Sequence, residues 1–168
     1  LDKVKLGPSV DPELIKKTWY FGELGWGDKA HTMLIGLMKY TEAISTNTSM
    51  VKPGEITNYR DLLDPKWKGK ISLQDPRVAG MGQMWFSVVL ELGDADTNYL
   101  HELAIKQELF ITRDRRLQVE WLARGKHAIA IAPDTPTVTE FIGLGAPVNR
   151  FSIGTPFISG STSGIAMM

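Results

Sequence analysis

Lys70-Ile71-Ser72-Leu73-Gln74-Asp75-Pro76-Arg77-Val78-Ala79-Gly80-Met81-Gly82 contains, in order, a strand, a turn and the start of a helix. Residues 70–74 read as a strand, and Asp75-Pro76 ends it, because proline offers no N–H and holds the preceding residue extended. From Met81 onward, Met81, Met84, Trp85, Val88, Val89 and Leu92 fall at i, i+3, i+4, i+7, i+8 and i+11. That spacing is one face of a helix, ending at Gly93. A strand feeding a helix through a short polar turn is the repeating unit of a sheet whose strands run parallel.

The same alternation continues downstream. A helix is expected from Asp96 or Thr97 to Lys106 with Tyr99, Leu100 and Leu103 inward, then a strand over 109–112. Asp114 is placed to cap a helix reaching Arg124 and stopped by Gly125. Residues 128–132 are apolar at every position, as a strand covered on both faces near the sheet centre must be. Asp134 or Thr135 starts another helix ending near 143–145, and residues 148–153 read as a further strand. Upstream, a short helix is expected over 11–18, extended segments over 31–38 and 42–46, and one helical turn over 59–63. Pro53-Gly54 and Asp64-Pro65 punctuate the connection. No repeat, low-complexity tract or linker divides the sequence, which predicts a single α/β domain over residues 1–168 with a largely parallel sheet.

With 168 residues, 43% of them hydrophobic and 23% charged, the chain can bury the core of one domain, which excludes disorder and membrane spanning. Nineteen basic residues balance nineteen acidic ones, so no global field draws the protein to nucleic acid or an anionic bilayer. The absence of cysteine removes disulfides, thiolate catalysis and cysteine zinc sites, and leaves the compartment open. The sequence opens at Leu1 and stops on the apolar run Gly164-Ile165-Ala166-Met167-Met168, which is expected of a piece of a longer chain. His31, His101 and His127 are far apart, so a zinc enzyme is not expected. Gly160-Ser161-Thr162-Ser163-Gly164 has threonine where a nucleophile elbow needs its serine. Ser49-Met50-Val51-Lys52 runs straight into Pro53-Gly54, so no helix carries that serine and lysine on one face.

Three junctions pair a strand end with a helix start, where unpaired N–H groups and the helix dipole favour an anion. They are Asp75 to Gly82, Thr112-Arg113-Asp114-Arg115-Arg116, and Ala132-Pro133-Asp134-Thr135-Pro136-Thr137. In the first, two glycines are expected to let the backbone come close to a ligand, and Arg77 adds a cation. In an open α/β sheet such junctions gather on one edge, which predicts a shared cleft. The candidates are Ala79, Gly80 and Met81 through their backbone N–H groups, Arg113 and Asp114 at the second junction, and Asp134 and Thr135 at the third. Each has a plainer reading: aspartate, threonine and proline also serve as helix caps. Arg116 suits a solvated helix face, and Trp85 and Trp121 suit packing.

Met50-Val51-Lys52-Pro53-Gly54-Glu55-Ile56, then Tyr59-Arg60-Asp61-Leu62-Leu63-Asp64-Pro65-Lys66-Trp67-Lys68-Gly69-Lys70-Ile71, then Asp75-Pro76, resembles the extracellular solute-binding proteins of ABC importers. The likeness is to the type-2 periplasmic-binding fold of the ferric-iron, thiamine and phosphonate-type group. Leu122-Ala123-Arg124-Gly125-Lys126 and Gly143-Leu144-Gly145-Ala146-Pro147-Val148 extend it over roughly residues 45–150. The resemblance implies a three-layer α/β/α lobe with a mixed, mostly parallel sheet. It also implies a hinged protein of two lobes that traps a small solute and delivers it to a membrane permease. This chain would be the second lobe with part of the hinge, the first lobe being largely missing. Thr46-Asn47-Thr48 matches a strand crossing between lobes and residues 159–164 the return, so Asn47 and Thr162 are expected to flank the hinge and to offer hydrogen bonds.

One departure bears on the solute. Iron-binding relatives carry adjacent tyrosines just after the strand that is 128–132 here, whereas this sequence has Asp134-Thr135-Pro136-Thr137 and no tandem tyrosine. An organic or oxyanion solute, or a preformed chelate, is therefore expected, and Asp134 is placed to meet an ammonium group of a zwitterion. The expectation is a binding protein with no catalytic residue, cofactor or metal ligand, monomeric at full length, without nucleic acid. The resemblance puts it in the periplasm or outside the cell, with membrane anchoring as an option. The competing readings are a ligand-sensing domain of a receptor, and an enzyme using the cleft for a phosphate-bearing substrate. No nucleophile paired with a base near the junctions speaks for the enzyme.

Overall fold

The computed structural model describes residues 13, 16, 17, 25, 26, 29, 33–40, 44–91, 96–151, 153 and 157–166; for the strands at 25–26, 33–40 and 157–166 it describes the backbone. The strands are β1 (Gly25–Trp26), β2 (Met33–Tyr40), β3 (Ile44–Asn47), β4 (Ile71–Gln74), β5 (Phe110–Thr112), β6 (Ile129–Ile131), β7 (Val148–Phe151) and β8 (Phe157–Ala166). The α-helices are α1 (Met81–Glu91), α2 (Thr97–Lys106), α3 (Arg115–Ala123) and α4 (Thr135–Gly143), with 3-10 turns at Tyr59–Leu63 and Pro65–Trp67. The chain divides into two compact units, Leu1–Tyr40 with Phe157–Met168, and Thr41–Pro156.

The first unit holds an antiparallel sheet of order β1-β2-β8, in which β2 pairs β8 from Met33↔Ala166 to Tyr40↔Phe157. Its register shifts between Ile35 and Leu37. The extended segment expected to stop at Met38 thus continues through Tyr40. Of the helix expected over 11–18, residues 13, 16 and 17 are helical; the rest lies outside the described residues, as do Leu92 and Gly93.

The second unit is built on a sheet of order β5-β4-β6-β3-β7. β4 runs parallel to both β5 and β6, while β3 runs antiparallel to both β6 and β7. Four strands therefore point one way and β3 the other, the mixed and mostly parallel α/β arrangement expected. β6 is the middle strand, and Ala128 to Ala132 are each 0% exposed, as their unbroken apolar run requires.

Register assigns the two faces. Ala130, Ser45, Ser72 and Val148 share one, and Ala130 and Val148 cluster there with Val119 and Leu122 of α3 and Val138 of α4. Each such aliphatic side chain contributes about 1.5–3 kcal/mol on burial, enough to fix α3 and α4 against the sheet. Ile44, Ile71, Leu73, Ile129 and Ile131 turn to the other face and are 3% exposed at most, so it too is covered. α1 lies against β4 and brings in Trp85, 1% exposed. Tyr59 meets Trp85 edge-on at 6.1 Å and Tyr99 of α2 at 6.3 Å, and the Tyr99 hydroxyl donates to the Tyr59 carbonyl at 2.7 Å. The aspartates expected to start helices do so: Asp96 caps α2, Asp114 caps α3 and Asp134 caps α4.

His127, just before β6, is 5% exposed and stacks on Phe110 at 5.2 Å beside Trp121 at 5.6 Å. Burial first, and the Lys126 charge second, hold its pKa below the ordinary value of 6.5. The unfolded chain therefore takes up this proton at higher pH than the folded one, and stability is lost as pH falls below about 6.5. The melting temperature is expected to drop between pH 7.5 and 5.5 in the native protein, and to drop less in His127→Phe. Equal drops in both proteins would disprove the assignment.

Candidate functional site

The register brings the carboxyl ends of β4, β5, β6 and β7 to one edge of the second unit's sheet. Gln74 pairs Thr112, Leu73 pairs Ile131, and Ile44 at the start of β3 lies between Ile131 and Phe151. The starts of α1, α3 and α4 follow β4, β5 and β6 in sequence, so the three junctions picked out in the sequence share that edge, where open α/β sheets place ligands.

Asp75 is the fixed point of the first junction. Its N–H donates to the Thr112 carbonyl at 2.9 Å, and the residue is 2% exposed. Oδ1 accepts from Arg77 Nε at 2.8 Å and from the Arg77 backbone N–H at 3.0 Å; Oδ2 accepts from Arg77 Nη2 at 3.0 Å and Arg113 Nε at 2.9 Å. The Arg77 guanidinium, then its backbone N–H, then Arg113 hold the carboxyl well below the usual carboxylate range. Both arginine side chains face solvent, 74% and 68% exposed.

The start of α1 lies beside this group. The backbone N–H groups of Ala79, Gly80 and Met81 have no partner among the described residues, and the next, Gly82, donates to Gln74 Oε1 at 3.2 Å. A β-carbon on Gly80 would lie 3.3 Å from Gln74 Oε1 and 3.7 Å from Arg115 Nη2, so Arg115 reaches this helix start from α3. On Gly82 it would lie 2.0 Å from the Gln74 carbonyl oxygen. The second glycine thus seats α1 on β4, which corrects the expectation that it opens the backbone to a ligand.

At the other junctions the aspartates act within their own helices. Asp114 Oδ1 accepts from the Leu117 N–H at 2.9 Å. Asp134 Oδ2 accepts from the Thr137 N–H at 3.1 Å and the Thr137 hydroxyl at 2.6 Å, with Arg115 Nη1 3.8 Å from Oδ1. Both hydrogen bonds fall on Oδ2, so Asp134 acts as the cap of α4. Thr135 begins α4, half-buried, and its carbonyl accepts from the Thr139 hydroxyl at 2.9 Å.

Asn47 is not brought to this edge. Because β3 runs against its neighbours, Asn47 lies beside Val148 at the amino ends of β6 and β7. It is 2% exposed; Nδ2 donates to the carbonyls of Leu122 at 2.8 Å and Ala123 at 3.4 Å, and Oδ1 accepts from the Ser49 N–H at 2.9 Å. It is a tie between β3 and the end of α3. Asn47→Ala removes this tie, the Leu122 carbonyl keeping the Gly125 N–H, and is expected to destabilise by about 0.5–1.5 kcal/mol in chemical denaturation while leaving solute affinity unchanged. A weakened affinity at intact stability would contradict this placement. Thr162 belongs to β8 of the first unit, and its side chain lies outside what is described.

A cavity of about 260 Å³ lies elsewhere, against the ends of β3 and β7, lined by Thr46, Val51, Pro53, Ile56, Asn149 and Phe151 among others. It touches neither Asp75 nor its arginines. Among the described residues no group of three histidine or acidic side chains is arranged to hold a metal ion, and no helix is long and apolar enough to cross a membrane. Sequence reasoning placed Asp75 and Arg115 within the junctions but singled out neither, nor Gln74, as a site residue. Asp75 two residues before Arg77 is a recognisable Asx-turn signal; its link to Arg113 has no local signature.

No family model matches the chain. A stretch of 65 residues, 39% of this chain and 18% of the relative, is 32% identical to iron uptake protein A1 of Synechocystis sp.. Iron-bound HitA from Pseudomonas aeruginosa matches with a TM-score of 0.62 and 16% identity, over 92% of this chain and 55% of that one. The periplasmic binding protein AfuA from Actinobacillus pleuropneumoniae, with fructose-6-phosphate bound, matches with a TM-score of 0.59 and 20% identity, over 79% of this chain and 43% of that one. The chain thus spans about half the length of these two structures. The fold is that of the type-2 periplasmic-binding proteins, as the sequence motifs implied.

Proposed function

We propose that this chain is the second lobe, with part of the hinge, of the solute-binding component of an ABC importer, and that it holds a small anionic solute without transforming it. One observation carries the reading: the carboxyl edge of the sheet combines three N–H groups at the start of α1 that have no partner among the described residues with the exposed guanidiniums of Arg77 and Arg113. Asp114 and Asp134 each put a carboxylate on one N–H of their own helix start, whereas α1 carries no acidic residue in its first turn, which favours the α1 side for an anion. The chain enters β3 and leaves β7 at that same edge, where a hinge would let an opposing lobe close over the solute. The closed form would be what the permease recognises, in the periplasm or at the cell surface.

Binding rather than catalysis fits the groups at hand. Asp75 is saturated by donors and held ionised, so it is no general base. The iron-bound relatives keep a ferric cargo in view, but with no tandem tyrosine here iron would arrive as an anionic chelate.

Thermal-shift titration of the intact protein tests this with inorganic phosphate, a sugar phosphate, citrate, ferric citrate and free ferric ion. An anion must raise the melting temperature by mass action, about 2.7 kcal/mol at a hundred times its Kd. A response to free ferric ion alone, or turnover of any of these compounds, would overturn the proposal.

A further inference from the structure

We infer that Asp75 is a positioning residue: its buried carboxylate holds the guanidiniums of Arg77 and Arg113 side by side, so that their remaining N–H groups form a two-pronged receptor for a phosphate or carboxylate group on the solute. The inference rests on the anion-binding reading above and adds to it the donors and what aims them.

Arg77 spends Nε and Nη2 on Asp75, which leaves Nη1 and the second hydrogen of Nη2. Arg113 spends only Nε, which leaves both terminal nitrogens. Neither side chain has another partner among the described residues. Because Arg77 Nη2 and Arg113 Nε both donate to Oδ2, the two heads must lie next to each other. Exposed arginines would otherwise repel and spread over many rotamers, and a solute would have to order them as it bound. Asp75 does not wander: it is 2% exposed, and its N–H is tied to β5 through the Thr112 carbonyl at 2.9 Å. One carboxylate against two guanidiniums leaves a net positive charge facing water. The forked donors match the spacing of oxygens on phosphate or carboxylate, the geometry for which arginine is suited.

Asp75→Asn separates aiming from charge, because it makes the site one unit more positive while weakening the hold on both arginines. If Asp75 merely offset charge, anion affinity would rise; as a positioning residue its loss should weaken binding at least tenfold. The experiment is calorimetry of the intact protein with inorganic phosphate and with citrate, which also separates the two anion classes, alongside NMR of the arginine Nε–H groups without any anion. The wild type is expected to show two slowly exchanging Nε–H signals that Asp75→Asn abolishes. Arg113→Lys keeps the charge and the fold but loses the Nε–H held by Asp75, and should weaken binding about tenfold as well. Unchanged or tighter binding in either variant, or Nε–H signals that persist in Asp75→Asn, would overturn the positioning role. Wild-type protein with both signals in place but no affinity for either anion would instead overturn the anion-binding reading, and the receptor with it.

Discussion

Gly82→Ala is expected to lower the melting temperature by on the order of 10 °C, through an overpacking cost of about 3 kcal/mol. The added β-carbon would sit 2.0 Å from the Gln74 carbonyl oxygen and 2.7 Å from the carbonyl carbon. Neither partner can retreat cheaply. Gln74 ends a strand paired on both sides, by β5 and by β6. α1 carries Trp85 and Val89, each 1% exposed, so sliding it away would open the core. Gly143, in the last position of α4, is the control: nothing lies within 4 Å of its missing β-carbon, and alanine is the better helix former. Gly143→Ala should therefore leave the melting temperature unchanged or slightly raised. Thermal denaturation of the two variants side by side decides it, and an unaffected Gly82→Ala would mean that α1 does not seat on β4 as described.

Replacing both Arg77 and Arg113 by methionine is expected to destabilise the protein at neutral pH, to shrink Asp75's contribution to stability that acid removes, and to abolish the response to anions. In the native protein the folded pKa of Asp75 lies below its unfolded value. That contribution is present above the unfolded value near 3.9 and is lost as pH falls through the folded one. Methionine keeps the length of each side chain but no donor, leaving Asp75 with the backbone N–H of residue 77. A carboxylate 2% exposed and stripped of both guanidiniums is a buried charge without its counter-charges. The backbone N–H of residue 77 outweighs burial, so the folded pKa stays below the ordinary value but by less, and the variant has less stability to lose as pH falls. Melting curves from pH 7 to 3 for the native protein and the double variant, each compared with Asp75→Asn in the same background, isolate the effect. An Asp75-dependent loss on acidification as large in the double variant as in the native protein would show that the two guanidiniums do not hold Asp75 as described.

Much of this architecture was legible in the sequence because local chemistry decides it. The unbroken apolar run over 128–132 had to be an inner strand, and Asp96, Asp114 and Asp134 stand where helix N–H groups need an acceptor. Gathering of the junctions on one edge followed from the order strand, turn, helix. What local chemistry does not decide is the direction of β3. Its insertion antiparallel between β6 and β7 carries Asn47 to the opposite edge, and no residue within 44–47 signals that. The Gly80-Met81-Gly82 spacing has two physical uses, close approach of a ligand and close approach of a strand, and both demand the same missing β-carbon. The pairing of Asp75 with Arg113 spans 38 residues and exists only once β4 and β5 lie side by side.

A crystal structure of the intact protein with its solute bound tests the central claim most directly. An anionic group is expected beside the carboxyl end of β4, within hydrogen-bond distance of the terminal nitrogens of Arg113 and of the N–H groups from Ala79 to Met81. A solute lodged instead in the cavity beside Thr46 and Asn149, with Arg77 and Arg113 touching nothing but Asp75 and water, would contradict it.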